Sequence, residues 1–194
     1  MLKNKLINTA FIVIILSLLS LSVAYGYNDG FGSAHKISGK HFIVFYTPGL
    51  EIPDLVRQLD IGPSERVLVG KSTQKKLTFE TELIDMLDTL FMQVSDILDI
   101  HLYSLQGKIK VCRDYSQLSQ VYDTLFNADL ANQRSFYVHE LKTVYVSVEG
   151  FTPEILGHEI AHMIICHYFV VPPPYRVQEV LAGYVEYQLR KRQR

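Results

Sequence analysis

The sequence contains no tryptophan, only two cysteines and no excess of charge of either sign. Its 19 Lys and Arg residues are balanced by 20 Asp and Glu, for a formal net charge of −1 at pH 7. A nucleic-acid-binding domain carries a strongly basic face, so we expect no nucleic-acid partner. Charged residues make up only 20% of the chain against 48% hydrophobic residues, which excludes an intrinsically disordered protein. A chain of 194 residues is long enough for one folded domain.

Long hydrophobic runs are also missing, except for one near the N-terminus. There Lys3 and Lys5 precede an apolar stretch from Ala10 to Leu21, which is shorter than the roughly 20 residues of a membrane-spanning helix. A small residue, Ala24, follows it, as at the cleavage site of a signal peptide. We therefore predict a signal peptide over residues 1–24, with an uncleaved N-terminal anchor as the alternative and as the only expected membrane contact. The protein would then be exported, either periplasmic or secreted.

The rest of the chain divides by composition into a linker and one domain. Residues 25–40 are rich in Gly, Ser and Asn and are expected to be a linker, and residues 41–194 to be the domain. Runs of β-branched and aromatic residues predict strands at His41–Tyr46, Arg66–Val69 and Lys108–Cys112, and a hairpin of Ser135–His139 with Thr143–Val148. Helical spacing of apolar residues predicts helices at 79–100 and 115–126, with a short helix at 52–59. Because helices and strands are mixed in one domain, the predicted class is α+β.

The two cysteines, Cys112 and Cys166, both follow the predicted signal peptide. An oxidising compartment permits a disulfide between them. However, the sequence does not give the distance between the two Cα atoms, which decides whether a disulfide can form. Neither cysteine lies in a spacing typical of metal ligands. We expect two buried thiols that pack as small hydrophobic residues, with a Cys112–Cys166 disulfide as the alternative.

One motif carries chemistry: His158-Glu159-Ile160-Ala161-His162, on a helix that we expect Thr152 to cap and Pro153 to begin. Residues four apart share one helix face, so both imidazoles can bind one zinc ion. Glu159 is turned about 100° away, where it is better placed to act as a general base than as a ligand. The alternative is a coincidental, exposed polar face. Apolar neighbours argue against it, because stranded buried polar groups cost several kcal/mol.

A catalytic zinc site needs a third protein ligand and an open position. Three prolines at 172–174 end the helix, and a second helix is expected to begin near Tyr175. On that helix Glu179, Ala182, Gly183 and Glu186 share a face, and the two small residues would allow close packing on the first helix. The basic residues 190–194 are expected to be a solvated helix end, with contact to anionic lipid headgroups as the weaker alternative.

The two helices together resemble the zincin metallopeptidases of the gluzincin type, which combine a His-Glu-x-x-His helix with a downstream Glu-x-x-Ala helix. Here Glu179-Val180-Leu181-Ala182 matches the second element, and its continuation to Glu186 is similar to small peptidase-MA-like proteins. The resemblance implies that His158, His162 and Glu179 bind one zinc ion per chain and that Glu159 is the base. It also implies a zincin-like fold.

In such a fold a twisted, mostly antiparallel or mixed sheet packs on the active-site helix, and an edge strand holds an extended peptide. Ser135–His139 is the candidate for that strand. The sequence departs from the family at Gly183, where thermolysin-like members have an Asp that orients a metal-bound histidine. Glu186 is the candidate for that role, and a solvated surface Glu is the alternative.

The expected function is therefore that of an exported zinc metallopeptidase acting on a peptide or protein substrate. An oxyanion formed during peptide hydrolysis needs a hydrogen-bond donor. Tyr184 is our candidate for it, ahead of Tyr175, Arg176 and His139. Because little chain follows the second helix to build a lower wall of the cleft, the alternative is a catalytically inactive zinc-binding scaffold or binding protein of the cell envelope.

Overall fold

The computed structural model describes residues 28–61 and 78–192. The predicted signal peptide and the predicted strand Arg66–Val69 lie outside these residues. The elements in chain order are β1 (His35–Ser38), β2 (Phe42–Tyr46), α1 (Ile52–Leu59), α2 (Phe79–Leu98), β3 (Gly107–Cys112), α3 (Tyr115–Phe126), β4 (Ser135–Val138), β5 (Thr143–Ser147), α4 (Pro153–Tyr168) and α5 (Tyr175–Arg192). This mixture confirms the α+β class. The predicted elements that fall within the described residues are all present, with slightly different ends.

The five strands form one mixed sheet in the order β1-β2-β3-β5-β4. The inner strands β2, β3 and β5 run parallel, and the edge strands β1 and β4 are antiparallel to their neighbours. Strands β4 and β5 form the predicted hairpin, with Val138 opposite Thr143. The hairpin therefore places β4, the candidate peptide-binding strand, at one edge of the sheet.

Residues 28–40 are not a linker, so the predicted domain start at residue 41 is wrong. Strand β1 pairs with β2, with His35 opposite Tyr46. Most β1 side chains are exposed, and backbone hydrogen bonds to β2 hold the strand without an apolar pattern that a sequence could show. Just before β1, Asp29 and Phe31 are buried. This segment is therefore part of the folded domain.

Side chains of the sheet alternate between two hydrophobic cores, as the period of a β-strand requires. The larger core packs Val44, Ile109 and Val144 against helices α2, α4 and α5. The smaller core packs Cys112 and Tyr145 against α3. The motif helix α4 therefore lies on the face of the larger core, beside the β4 edge.

Both cysteines are buried free thiols, in agreement with the favoured expectation. Cys112 belongs to the smaller core, whereas Cys166 lies on α4 on the opposite face of the sheet. Burial raises the pKa of both thiols, that of Cys112 to about 12. Both side chains therefore remain protonated and pack as small hydrophobic groups.

Helix α4 begins at Pro153, at a position where the missing N–H of proline has no cost. Thr152 occupies the N-cap position, but its side chain makes no capping hydrogen bond, so that part of the expectation is wrong. The helix is buried over most of its surface, because the sheet, α2 and α5 all pack on it. This burial fixes the orientation of the motif.

Helices α4 and α5 pack closely at Gly157, next to the motif. A β-carbon at Gly157 would lie 2.1 Å from Cδ1 of Leu189, so any larger residue there would displace the end of the Leu189 side chain. The sequence had suggested Ala182 and Gly183 for this role. Ala182 is fully buried, but a β-carbon at Gly183 would meet no atom within 4 Å. The small residue that matters most is therefore on the motif helix itself.

Candidate metal centre

The two motif histidines face each other along one side of α4. Their Nε2 atoms are 3.2 Å apart, and their ring centroids are 5.0 Å apart. Burial and the neighbouring His158 ring lower the pKa of His162, while Glu179 acts in the opposite direction. His162 is therefore held as the neutral imidazole, which is the form that binds a metal ion.

Glu179 of α5 completes a group of three potential ligands. Its Oε1 lies 3.1 Å from Nε2 of His162, and its Oε2 lies 3.7 Å from Nε2 of His158. One ligand atom from each of the three residues lies within 4.8 Å of the others. Bonds of about 2.0–2.2 Å in a tetrahedral zinc site separate neighbouring ligand atoms by about 3.3–3.6 Å. The separations of 3.1–3.7 Å, measured to the two oxygens of Glu179 and between the imidazole nitrogens, are close to this range, so the three residues could hold one zinc ion.

Glu159 lies beside this group and is held from the sheet. Oγ of Ser135, on β4, donates a hydrogen bond of 2.7 Å to Oε1 of Glu159. The pKa of Glu159 is raised to about 7, mainly by burial and also by the carboxylates of Glu179 and Glu186, while the hydrogen bond from Ser135 acts in the opposite direction. A cation bound by the three ligands would offset these negative charges and favour the ionised base.

Glu186 lies on the other side of the His158 ring. Its Oε2 is 3.4 Å from Nδ1 of His158, an atom that has no hydrogen-bond partner among the described residues. A metal-binding histidine almost always directs its second N–H to a carboxylate, a carbonyl or water. The geometry therefore favours support of His158 by Glu186 over the alternative of a solvated surface glutamate.

Tyr184, the predicted oxyanion donor, does not line the cleft above the ligands and is about half exposed. Five residues along a helix correspond to a rotation of about 140°, so Tyr184 faces away from Glu179.

Tyr175 lies at the site instead. The nearby carboxylate of Glu179, together with burial, raises the pKa of the Tyr175 hydroxyl. The Tyr175 ring is parallel to that of His162, with 6.5 Å between centroids.

A cleft with a volume of 810 Å³ opens over the three ligands. Its walls include the edge strand β4 and parts of α3, α4 and α5. The lining residues include Ser135, Tyr137, Glu159, Tyr175 and Glu186. This volume is within the range of about 300–1,000 Å³ found for ligand pockets. The ligand cluster is therefore open to a substrate on one side.

Three histidines outside the motif make contacts away from the ligand cluster. The His41 ring stacks on Phe91 with 4.0 Å between centroids. His101 pairs with Asp96 at 3.0 Å on the surface. Nδ1 of His167 lies 2.8 Å from a backbone carbonyl of its own helix. These contacts are structural.

Two supporting residues were missed by sequence reasoning. One is Ser135, whose contact with Glu159 joins β4 to α4. The other is Gln178, whose Nε2 donates to the carbonyl of Pro173 at 2.8 Å and whose Oε1 accepts from Sγ of Cys166 at 3.2 Å. Gln178 thereby fixes the turn into α5 just before the third ligand. Neither residue stands in a spacing that signals such a role.

Comparison with known proteins gives no relative for this chain. Neither a protein-family model, nor a curated protein, nor a solved structure matches it. The resemblance to gluzincins therefore depends on the motif residues alone.

Proposed function

We propose that the protein is an exported, zinc-dependent peptidase of the gluzincin type. The observation that carries this proposal is the convergence of His158, His162 and Glu179 beside the buried carboxylate of Glu159. Structural zinc sites are closed by four protein ligands, whereas catalytic sites keep one position open. Among the described residues the cluster offers three ligands, and it opens into the cleft.

The positions of the residues suggest their roles. When bound, zinc supplies the Lewis acidity that polarises the scissile carbonyl. Glu159, oriented by Ser135, accepts a proton from the attacking water and passes it to the leaving amine. Tyr175 replaces Tyr184 as the candidate donor to the oxyanion, because Tyr175 lines the cleft beside His162 and Tyr184 does not. Glu186 holds the ring of His158.

Strand β4 is the proposed binding site for the substrate backbone. It is an edge strand, and Ser135 and Tyr137 on it line the cleft. An extended peptide can add to such an edge through main-chain hydrogen bonds, which recognise the backbone irrespective of its side chains. This supports a peptide or an unfolded protein segment as the substrate class.

The alternative is a zinc-binding scaffold of the cell envelope without hydrolytic activity. A scaffold would not need Glu159, which is only 7% exposed. Burying a carboxyl group lowers stability, and a scaffold would gain nothing in return. The experiment must therefore separate metal binding from turnover.

The test compares Glu159→Gln with a matched variant, Glu154→Gln, which lies on the same helix outside the ligand cluster. We expect Glu159→Gln to retain one zinc ion per chain and to lose hydrolysis of a fluorogenic peptide library by roughly 10²–10⁴-fold, the usual contribution of a general base. Glu154→Gln should retain both the zinc ion and the hydrolytic activity. Zinc is measured by mass spectrometry of the purified protein. Wild-type turnover in Glu159→Gln would exclude the proposed base, and zinc binding without any turnover in the wild type would favour the scaffold.

A further inference from the structure

The segment from the end of α4 through α5 exposes several large apolar side chains. Val170 and Val171, in the loop between the helices, are 102% and 79% exposed. On α5, after Tyr175 at its start, the exposed apolar residues are Val177, Val180, Tyr184 and Tyr187. Their spacing of three and four residues places them in one stripe, opposite the side that packs on α4. We call these six residues the α4–α5 surface.

Positive charge flanks this surface. Arg176 at the start of α5 and Lys191 and Arg192 at its end are exposed, and none of them forms an ion pair within residues 28–61 and 78–192. The acidic residues of α5 are Glu179 and Glu186, and both approach the motif histidines. The solvent-facing side of α5 therefore combines apolar side chains with unpaired cations.

This combination is typical of a helix that lies in the interface of a membrane. A second copy of the chain fits the surface less well. A twofold interface would place the surface against itself, and its unpaired cations would repel each other. Within the described part of the chain no helix is both long and apolar enough to cross a bilayer, so the contact would be with the membrane surface.

We propose that the α4–α5 surface binds membranes that contain anionic lipids, with Val170 and Val171 inserted among the headgroups. Pro172 and Tyr175 adjoin this surface and also line the cleft. Membrane binding would thus bring the cleft to the lipid surface. The contact requires neither zinc nor hydrolysis, so it can be tested independently of the proposed peptidase activity.

The lack of tryptophan permits a direct test. Val170→Trp places a single tryptophan on the α4–α5 surface, and Tyr103→Trp places one on a loop elsewhere, at a position that is 64% exposed. Each full-length variant is mixed with vesicles of phosphatidylglycerol and phosphatidylcholine, or of phosphatidylcholine alone. We expect the fluorescence of Val170→Trp to shift to shorter wavelength, and to be quenched by brominated acyl chains, only with the anionic vesicles. The fluorescence of Tyr103→Trp should not respond.

Two results would overturn the proposal. Attachment through residues 1–24 alone would leave both tryptophans in water with either kind of vesicle. If the fluorescence of Val170→Trp shifts to shorter wavelength as the protein concentration rises, without vesicles, the surface binds a second copy of the chain instead.

A second arm tests the charges in the Val170→Trp background. Replacing Arg176, Lys191 and Arg192 together by Gln removes about 1 kcal/mol, or about 5-fold, per cation, and should raise the lipid concentration at half-maximal shift about 100-fold. Arg190 is kept because it pairs with Glu186. The matched triple variant replaces Lys36, Lys40 and Lys108, which are exposed elsewhere, and changes the net charge equally. If the lipid concentration at half-maximal shift rises equally in the two triple variants, the α4–α5 surface is not the binding site and the proposal is overturned.

Discussion

Two clusters of buried polar side chains lie on opposite faces of the sheet. In the smaller core, Asp29 accepts hydrogen bonds from the ammonium of Lys110, from the hydroxyl of Tyr145 at 2.5 Å, and from the backbone N–H of Phe31 at 3.1 Å. The Lys110 ammonium also lies over the rings of Phe31, Phe45 and Tyr145. Charge and hydrogen-bonding capacity are thus matched within the protein.

The cluster on α4 is not closed in this way. Two imidazole nitrogens face each other at 3.2 Å, Nδ1 of His158 has no hydrogen-bond partner among the described residues, and three carboxylates surround the pair. Two of these carboxylates, Glu179 and Glu186, raise the pKa of the third, Glu159, although Glu186 also pairs with Arg190. The first cluster is satisfied within the protein, whereas the second contains the three ligands of the proposed zinc site. Each prediction below tests one side of this comparison.

The largest expected effect is on the closed cluster. Lys110→Met leaves Asp29 as an uncompensated buried charge and should lower the free energy of unfolding by about 3–5 kcal/mol. Lys108→Met, two residues earlier on β3 and exposed, should change it by no more than about 0.5 kcal/mol. Urea unfolding of the metal-free proteins measures both. Similar values for the two variants would show that the Asp29 cluster contributes little to stability.

The next effect concerns the open cluster. Glu179→Ala should weaken zinc binding on the order of 100-fold, because one of three ligands is lost. At zinc 100 times the wild-type Kd, the wild type should gain about 2.7 kcal/mol of unfolding free energy and the variant about 0.4 kcal/mol. Lys110→Met should gain as much as the wild type. Chelator competition gives the affinities. An unchanged zinc affinity in Glu179→Ala would remove Glu179 from the ligand set.

A smaller effect is expected at Glu186, which contacts His158 on the side away from the ligands. Glu186→Gln keeps the size of the side chain but removes its charge, and should weaken zinc binding about 10-fold. The same competition assay measures it, with Glu154→Gln as the control. If the two variants bind zinc equally, Glu186 is only a surface residue.

The smallest effect is a change in acid stability. Burial raises the pKa of Asp29, but hydrogen bonds from Lys110, Tyr145 and the N–H of Phe31 outweigh it and lower the pKa below 3.8. The stability due to a lowered pKa is present above the unfolded-state value and is lost as pH falls through the folded-state value. Asp29→Asn should therefore lose less unfolding free energy than the wild type between pH 5 and about pH 3. Urea unfolding at several pH values measures this. An equal loss of unfolding free energy in Asp29→Asn and the wild type would contradict the prediction.

Most of the helices and strands could be predicted from the sequence because each is indicated by residues that lie close together in the chain. The apolar spacing of α2, the alternation in β3 and the prolines before α5 each act over a few residues. Strand β1 was missed because its side chains are mostly exposed and only backbone pairing with β2 holds it. Tyr184, our candidate from the sequence, does not line the cleft, because proximity to Glu179 in sequence does not specify which face of a helix meets the site.

By itself the sequence determined the motif and the single face that its two histidines share, because the period of a helix is independent of its surroundings. Only the tertiary structure decided which other side chains meet them. Ser135 reaches Glu159 through the position of β4 in the sheet, and Glu186 reaches His158 because α5 packs on α4. These contacts depend on how separate elements pack, and no short pattern of residues records that packing.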